Sequence, residues 1–278
     1  MTATPQLAVS TWSVHRAIGI AYPETPDNPG RAQRTDKWGP GSISLTALPE
    51  RLRSLDIDRI EVCHFHIDRH DHGFLADLRS ALGEAGVTLQ TLLIDDGDIT
   101  DPVNGMRDRA WIASWIDTAA ELGAEKARVI CGKQPPSPEV LDRAVDGLAA
   151  LARHGTDRGV RVLTENWLAT TPGPREVNGV LDRLDGRIGL LADTGNWRGV
   201  GKYDDLRAIF GRAENAHTKA FFSDAMDIDA DDYGRCLDVA KECGYAGPHT
   251  LIYEGADPDE WRGLEIERDF VLERYRLD

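Results

Sequence analysis

The sequence predicts a single-domain α/β protein, a closed (β/α)8 TIM barrel, on three observations. Eight short runs rich in Val, Ile and Leu alternate with longer amphipathic stretches. The alternation fits within 278 residues, a length at which such barrels form one unit. No GxGxxG turn follows the first apolar run, which disfavours the rival doubly wound nucleotide-binding sheet.

The first strand is expected at residues 7–12. It runs into a long irregular stretch, 19–42, with several prolines and glycines and Trp38. A segment of this length inside a compact domain reads as a functional loop, here one covering an end of the barrel. Apolar runs place the next strands at 59–64, 88–95 and 126–131, then at 161–165, 188–193, 213–220 and 250–254. Between them the spacing is helical. Trp111, Ile112, Trp115, Ile116 and Ala119 share one face, as do Val140, Leu141, Ala144, Leu148 and Leu151. Leu237, Ala240 and Lys241 continue the pattern less cleanly. Gly86, Gly123, Gly159 and Gly244 each follow a helical stretch, as helix-ending glycines do. The single domain is taken as 1–278.

The composition excludes several classes. A hydrophobic share of 41% and a charged share of 28% suit a globular core rather than disorder. No run approaches ~18 uncharged apolar residues, so no membrane partner is expected. With 32 basic against 47 acidic residues the net charge is −15, which argues against a nucleic-acid partner. Cys63, Cys131, Cys236 and Cys243 are scattered with no CxxC and read as packed free thiols. Residues 1–9 lack a leader pattern, so a cytoplasmic location is expected. Self-association is left open.

In such barrels the chemistry stands at the C-terminal ends of the strands. The last four strands offer Glu165, Asp193, His217 and Glu254 there. Three carboxylates around one imidazole repel one another without a cation. Oxygen-rich ligation with one imidazole suits Mn2+, Mg2+ or Co2+ and can hold Zn2+. One divalent ion is therefore expected, Mn2+ first, with open positions for two neighbouring oxygens of a sugar-like or polyol-like substrate. For any one of these residues the alternative is a helix cap.

The segments Thr164–Glu165–Asn166, Asp193–Thr194–Gly195–Asn196, His217–Thr218–Lys219 and Ile252–Tyr253–Glu254 carry a resemblance to the xylose isomerase-like TIM-barrel family, which includes sugar and sugar-phosphate isomerases and epimerases. The resemblance spans nearly the whole chain; its short motifs are specific only as an ordered set. It implies that Glu165, Asp193, His217 and Glu254 bind the ion and that Glu165 and Glu254 exchange protons with substrate. Several epimerases, and the related apurinic-site endonucleases, have His where this chain has Asn196. The endonucleases also need three zinc ions and an Asp-x-His pair, absent from Ser223–Asp224–Ala225–Met226. DNA repair is therefore not expected.

Lys219 lies two residues after His217, on the same side of its strand, and could neutralise an enolate oxygen or make a structural ion pair. Trp12, Trp38 and Trp167 could stack on a sugar, and His66 and Asn196 could contact it; each could equally be packing or rim. His64 shares the ambiguity of His66, and Trp197 that of the other tryptophans. Glu61 reads as a buried network residue. Asp71 reads as a helix cap between His70 and His72. The acidic loops after strands seven and eight, Phe222–Ser223–Asp224 and Gly255 to Glu260, disfavour a phosphorylated substrate.

The activity expected is a metal-dependent isomerisation or epimerisation by proton transfer through a metal-bound cis-enediolate. A lyase, either a dehydratase or a deglycosylating enzyme, shares the first half-reaction. A non-catalytic sugar-binding barrel would not need both Glu165 and Glu254.

Overall fold

The computed structural model describes residues 4–30 and 33–276; Arg31 and Ala32, inside the expected loop, lie outside the described residues. Eight parallel strands close into a barrel in sequence order. They are β1 (Leu7–Ser10), β2 (Arg59–Cys63), β3 (Thr88–Ile94), β4 (Lys126–Val129), β5 (Arg161–Glu165), β6 (Gly189–Asp193), β7 (Ala213–Lys219) and β8 (His249–Ile252). Pairing of Leu7 with His249 and of Val9 with Leu251 closes β1 on β8, so the ladder has no free edge.

The helices are α1 (His15–Ile18), α2 (Leu48–Arg53), α3 (His72–Ala85), α4 (Gly105–Leu122), α5 (Pro138–Arg158), α6 (Pro174–Leu184), α7 (Lys202–Phe210), α8 (Ala230–Glu242) and α9 (Glu260–Arg276). Each long helix turns its apolar stripe onto the strands. Trp111, Ile112, Trp115, Ile116 and Ala119 of α4 are all buried, as are Val140, Ala144, Leu148 and Leu151 of α5. Side-chain caps start the helices where the sequence supplies them. Asp71 accepts from Phe74 N at the start of α3, and Ser137 from Val140 N at the start of α5. Gly86, Gly123 and Gly159 are left-handed C-caps. Gly244 lies one residue further out, because Cys243 caps α8.

The strand ends are shorter than the apolar runs suggest, for local reasons. Trp12 N turns back to Ser10 Oγ at 3.2 Å, starting a 3₁₀ turn at Thr11–Val14. Tyr253 N donates to Ser13 Oγ at 3.0 Å instead of to a neighbouring strand, so β8 stops at Ile252. Glu254 therefore stands two residues beyond its strand.

The barrel interior is polar at its centre. Gln90 Nε2, Thr91 Oγ1 and Asn215 Nδ2 all donate to Glu61 Oε1, at 2.8, 2.9 and 2.8 Å. Lys126 Nζ donates to Asn215 Oδ1. Above this layer Cys63, Leu93, Leu163 and Leu191 pack together, with Trp12 and Phe65 against them. All four thiols are free; three are buried and Cys243 is half-buried. No helix among the described residues is long and apolar enough to cross a membrane.

Trp115 is fully buried, with its ring 5.2 Å from His64 and the Arg69 guanidinium 4.4 Å over its face. Trp115→Ala should lower unfolding stability by about 3–5 kcal/mol, read by equilibrium denaturation. A loss under about 1 kcal/mol would show that α4 does not anchor the barrel wall.

Candidate active site

A cavity of about 210 Å³ opens at the C-terminal ends of the strands. Glu165, Asp193, His217 and Glu254 all line it, together with Lys219, Asn196, Trp12 and Trp167. Donor atoms of Glu165, Asp193 and His217 lie within 4.8 Å of one another. His217 Nδ1 is 3.5 Å from Asp193 Oδ2 and 4.0 Å from Glu165 Oε1. Its Nε2 donates to Glu61 Oε2 at 2.7 Å. Glu61 thus fixes the ring and aims Nδ1 at the two carboxylates, as carboxylates behind metal-ligating imidazoles do.

The carboxylates are individually anchored. Asp193 Oδ1 accepts from Gly195 N at 2.6 Å and Asn196 N at 3.0 Å, leaving Oδ2 to the cavity. Asn196 Nδ2 donates to Glu165 Oε1 at 2.8 Å. On its other side Glu165 Oε2 lies 3.0 Å from Nε of Arg128, a guanidinium only 3% exposed. Arg128 also pairs with Asp95 at the end of β3 and sits 5.3 Å over the Trp167 ring. Glu254 stands apart from the three clustered donors. It accepts from Trp12 Nε1 at 2.9 Å and from Lys219 Nζ at 3.2 Å. Lys219 also reaches Asp193 Oδ2 at 3.7 Å. It runs along the mouth because residue 195 is glycine: a Cβ there would lie 2.4 Å from Lys219 Cδ.

Charge sets the proton distribution. Burial pushes Glu61 up, but the imidazolium of His217 outweighs it and holds the carboxyl down to about 2. Burial pushes His217 down, but Glu61 and Asp193 outweigh it and raise the ring to about 10. Asp193 is likewise held at about 2, its burial overcome by Lys219 and His217. Glu165 is raised, chiefly by burial, with the Asp193 charge adding to it.

The other expected contact residues are distributed unevenly. Trp12, Trp167 and Asn196 line the cavity, whereas Trp38 lines only an adjoining one. His66 is buried, its Nδ1 bonded to Thr11 Oγ1 at 2.9 Å, and burial pushes the ring down to about 3. Neither cavity is lined by His66. Trp197 is buried and donates to Thr171 O at 3.4 Å. His70, read as part of a solvated loop, bonds the buried Glu24 at 3.0 Å. Sequence reasoning missed Arg128 and Asp95. A charged residue inside the apolar run of β4 was the available signal for the first. For the second it was a carboxylate at a strand end.

The His217–Glu61 pair makes a pH prediction for the metal-free protein. An unfolded imidazole releases its proton near 6.5 and the folded one near 10. The stabilisation is therefore complete below about pH 6.5 and lost as pH rises toward 10. Glu61 works in the opposite sense: its contribution is present above 4.5 and lost as pH falls toward 2. In chelator, the melting temperature should fall between about pH 7 and 10, and the fall should be shallower in His217→Asn. Equal slopes in the two proteins would show that the ring carries no proton.

The chain matches the profile of the family described as xylose isomerase-like TIM barrel over residues 49–270. No curated protein matches it in sequence. Among solved structures it is similar to a xylose isomerase-like TIM-barrel protein from Mycobacterium smegmatis in complex with magnesium. The identity there is 16%, with 98% of this chain and 97% of that chain covered and a TM-score of 0.68. A D-allulose 3-epimerase from Methylomonas sp. is 16% identical over 99% and 100% of the two chains, with a TM-score of 0.70. An L-ribulose 3-epimerase is 15% identical over 98% and 96%, with a TM-score of 0.72. By the profile match the chain belongs to the xylose isomerase-like TIM-barrel family.

Proposed function

We propose that the protein is a divalent-ion-dependent sugar isomerase or epimerase working by proton transfer. The observation that carries this reading is the buried cluster of Glu165, Asp193 and His217, with His217 pinned from behind by Glu61. The donors fit a hard divalent ion: two carboxylates and one imidazole, all buried, with ligand atoms within 4.8 Å of one another. Sugar epimerases and a magnesium-bound protein among the similar structures support it. Mn2+ leads as the candidate, followed by Mg2+, Co2+ and Zn2+, and Glu254 is the candidate fourth ligand. When bound, the ion would polarise a substrate carbonyl and acidify the neighbouring carbon-bound proton.

The chain's own residues divide the remaining work. Asn196 and Arg128 hold Glu165 in one orientation, with one oxygen toward the cavity. Glu254 is 38% exposed on its side chain and paired with Lys219, so it can take a substrate proton and pass it to water. Lys219 Nζ, between Asp193 and Glu254, stabilises negative charge developing on a substrate oxygen. Trp12 orients Glu254 and, with Trp167 and Asn196, contacts the sugar. His66 shapes the wall behind Thr11.

Two substitutions separate these roles. Asp193→Asn should weaken Mn2+ or Mg2+ binding at least about tenfold in calorimetric titration. Glu254→Gln should weaken ion affinity less than Asp193→Asn does and, at saturating ion, still lower turnover ~10²–10⁴-fold. Activity is read as exchange of carbon-bound hydrogen with D2O across a panel of ketoses and aldoses. Product isomers would identify isomerase or epimerase, and loss of water or of an aglycone would identify the lyase. Unchanged ion affinity in Asp193→Asn would refute the site, and wild-type exchange in Glu254→Gln would refute its role as the base.

A further inference from the structure

We infer that the substrate is a terminally deoxygenated sugar: an aldose or ketose, carbonyl-bearing in its open-chain form, that ends in a methyl group instead of a hydroxymethyl. The inference rests on the ion-dependent proton transfer proposed above and names a substrate class for it. The strands divide the cavity into two halves. On β4 to β7 the lining side chains are Arg128, Glu165, Asp193, His217 and Lys219, all of them ionisable. On β8, β1, β2 and β3, which are neighbours in the closed ladder, they are Ile252, Ser10, Cys63 and Leu93. Ser10 is the one hydroxyl of that arc, and it is buried with its Oγ accepting from Trp12 N at 3.2 Å. Cys63 and Leu93 pack in turn on Leu163 and Leu191, so the wall is backed by an apolar layer.

The polar groups bordering the apolar arc are already engaged. Asp95, just past β3, gives Oδ1 to Arg128, and its Oδ2 is itself buried, 3.8 Å from His64 Nδ1. The three guanidinium nitrogens of Arg128 go to Asp95, to Ile94 O at 3.1 Å and to Glu165. Trp12 Nε1 is held by Glu254. The groups left for a substrate oxygen stand on the other side. Lys219 Nζ has three protons for two carboxylate partners. Asn196 Oδ1 takes no donor among the described residues, and Glu254 is exposed to the mouth.

The proposed chemistry sets the orientation of the sugar. Its carbonyl and the neighbouring hydroxyl belong beside Glu165, Asp193 and His217. The remote end of the carbon chain then meets the wall of Ile252, Cys63 and Leu93. A hydroxyl at that end sheds its water on entry and finds no free partner, which weakens binding. A methyl group there buries apolar surface and leaves nothing unpaired. Aromatic rings at a sugar site accept the C–H face of any sugar. The aliphatic and thiol side chains of this wall are what discriminate between the two ends.

The test is calorimetric titration of Mn2+-loaded protein with matched reducing sugars: D-fucose and D-galactose, L-rhamnose and L-mannose, L-fuculose and L-tagatose, L-rhamnulose and L-fructose. In the pair that binds, the deoxy sugar should be about five- to hundredfold tighter than its hydroxylated partner. Cys63→Ser and Ile252→Thr each place a hydroxyl on the wall with little change of shape. Each should cut that preference at least about threefold, and Mn2+ binding reports that the variant is folded. Two positions on different strands guard against loss of either protein. Equal or tighter binding of the hydroxylated sugar, or a preference undiminished in both variants, overturns the inference and leaves the ion-dependent reading standing. Mn2+ binding without binding of any sugar in the set overturns both.

Discussion

The hydrogen bond between Glu61 and His217 is the interaction around which the mouth is organised. It joins β2 to β7 across the barrel at 2.7 Å and leaves only Nδ1 free to face Asp193 and Glu165. A carboxylate fully buried beneath an active mouth is costly unless it is well bonded. Glu61 meets that condition through Gln90, Thr91, Asn215 and His217. Asn215 is steadied in turn by Lys126 of β4. Branched apolar layers usually fill such barrels. Here a chain of polar groups crosses between strands, and its purpose is to hold one imidazole in one orientation.

The same geometry explains why the mouth suits a divalent ion better than a proton. Glu61, Asp95, Glu165, Asp193 and Glu254 supply five acidic groups, and Arg128 and Lys219 supply two fixed cations. Fully ionised, they leave three negative charges, and a proton on His217 reduces these to two. Replacing that proton with a doubly charged ion leaves one. The raised affinity of His217 for its proton, which Glu61 and Asp193 impose against the opposing effect of burial, reflects the same imbalance. A divalent ion held there would compete with the proton for a deficit that the fold creates.

Most of this frame was legible in the sequence, because it depends on periodicity and strand ends. The strand at 161–165 has the expected bounds, and the other seven differ at their ends; at β1 and β8 Ser10 and Ser13 take backbone donors from the chain. The cluster of Glu165, Asp193 and His217 follows from strand ends pointing to one mouth. Arg128 escaped because a charged residue inside an apolar strand signals burial without naming its partners, here Asp95 and Glu165. The partner of Glu61 is 156 residues distant, beyond any spacing rule. Glu24 escaped because its loop has no period, and only the folded chain shows Arg69, His70 and Trp111 meeting on it.

Glu165 and Glu254 look equivalent along the sequence, each at the end of an apolar run. The fold makes them different. Glu165 ends a strand that stays in the ladder, so its side chain is buried and fixed between Asn196 and Arg128. Glu254 follows a strand that Ser13 cuts short, so it reaches the mouth from a loop, partly exposed, with Lys219 and Trp12 as partners. A buried, oriented carboxylate suits ligation, whereas one in contact with solvent and an ammonium suits proton exchange. The difference in burial between the two carboxylates, and with it the division of labour proposed for them, thus traces back to a single serine hydroxyl that ends β8 at Ile252.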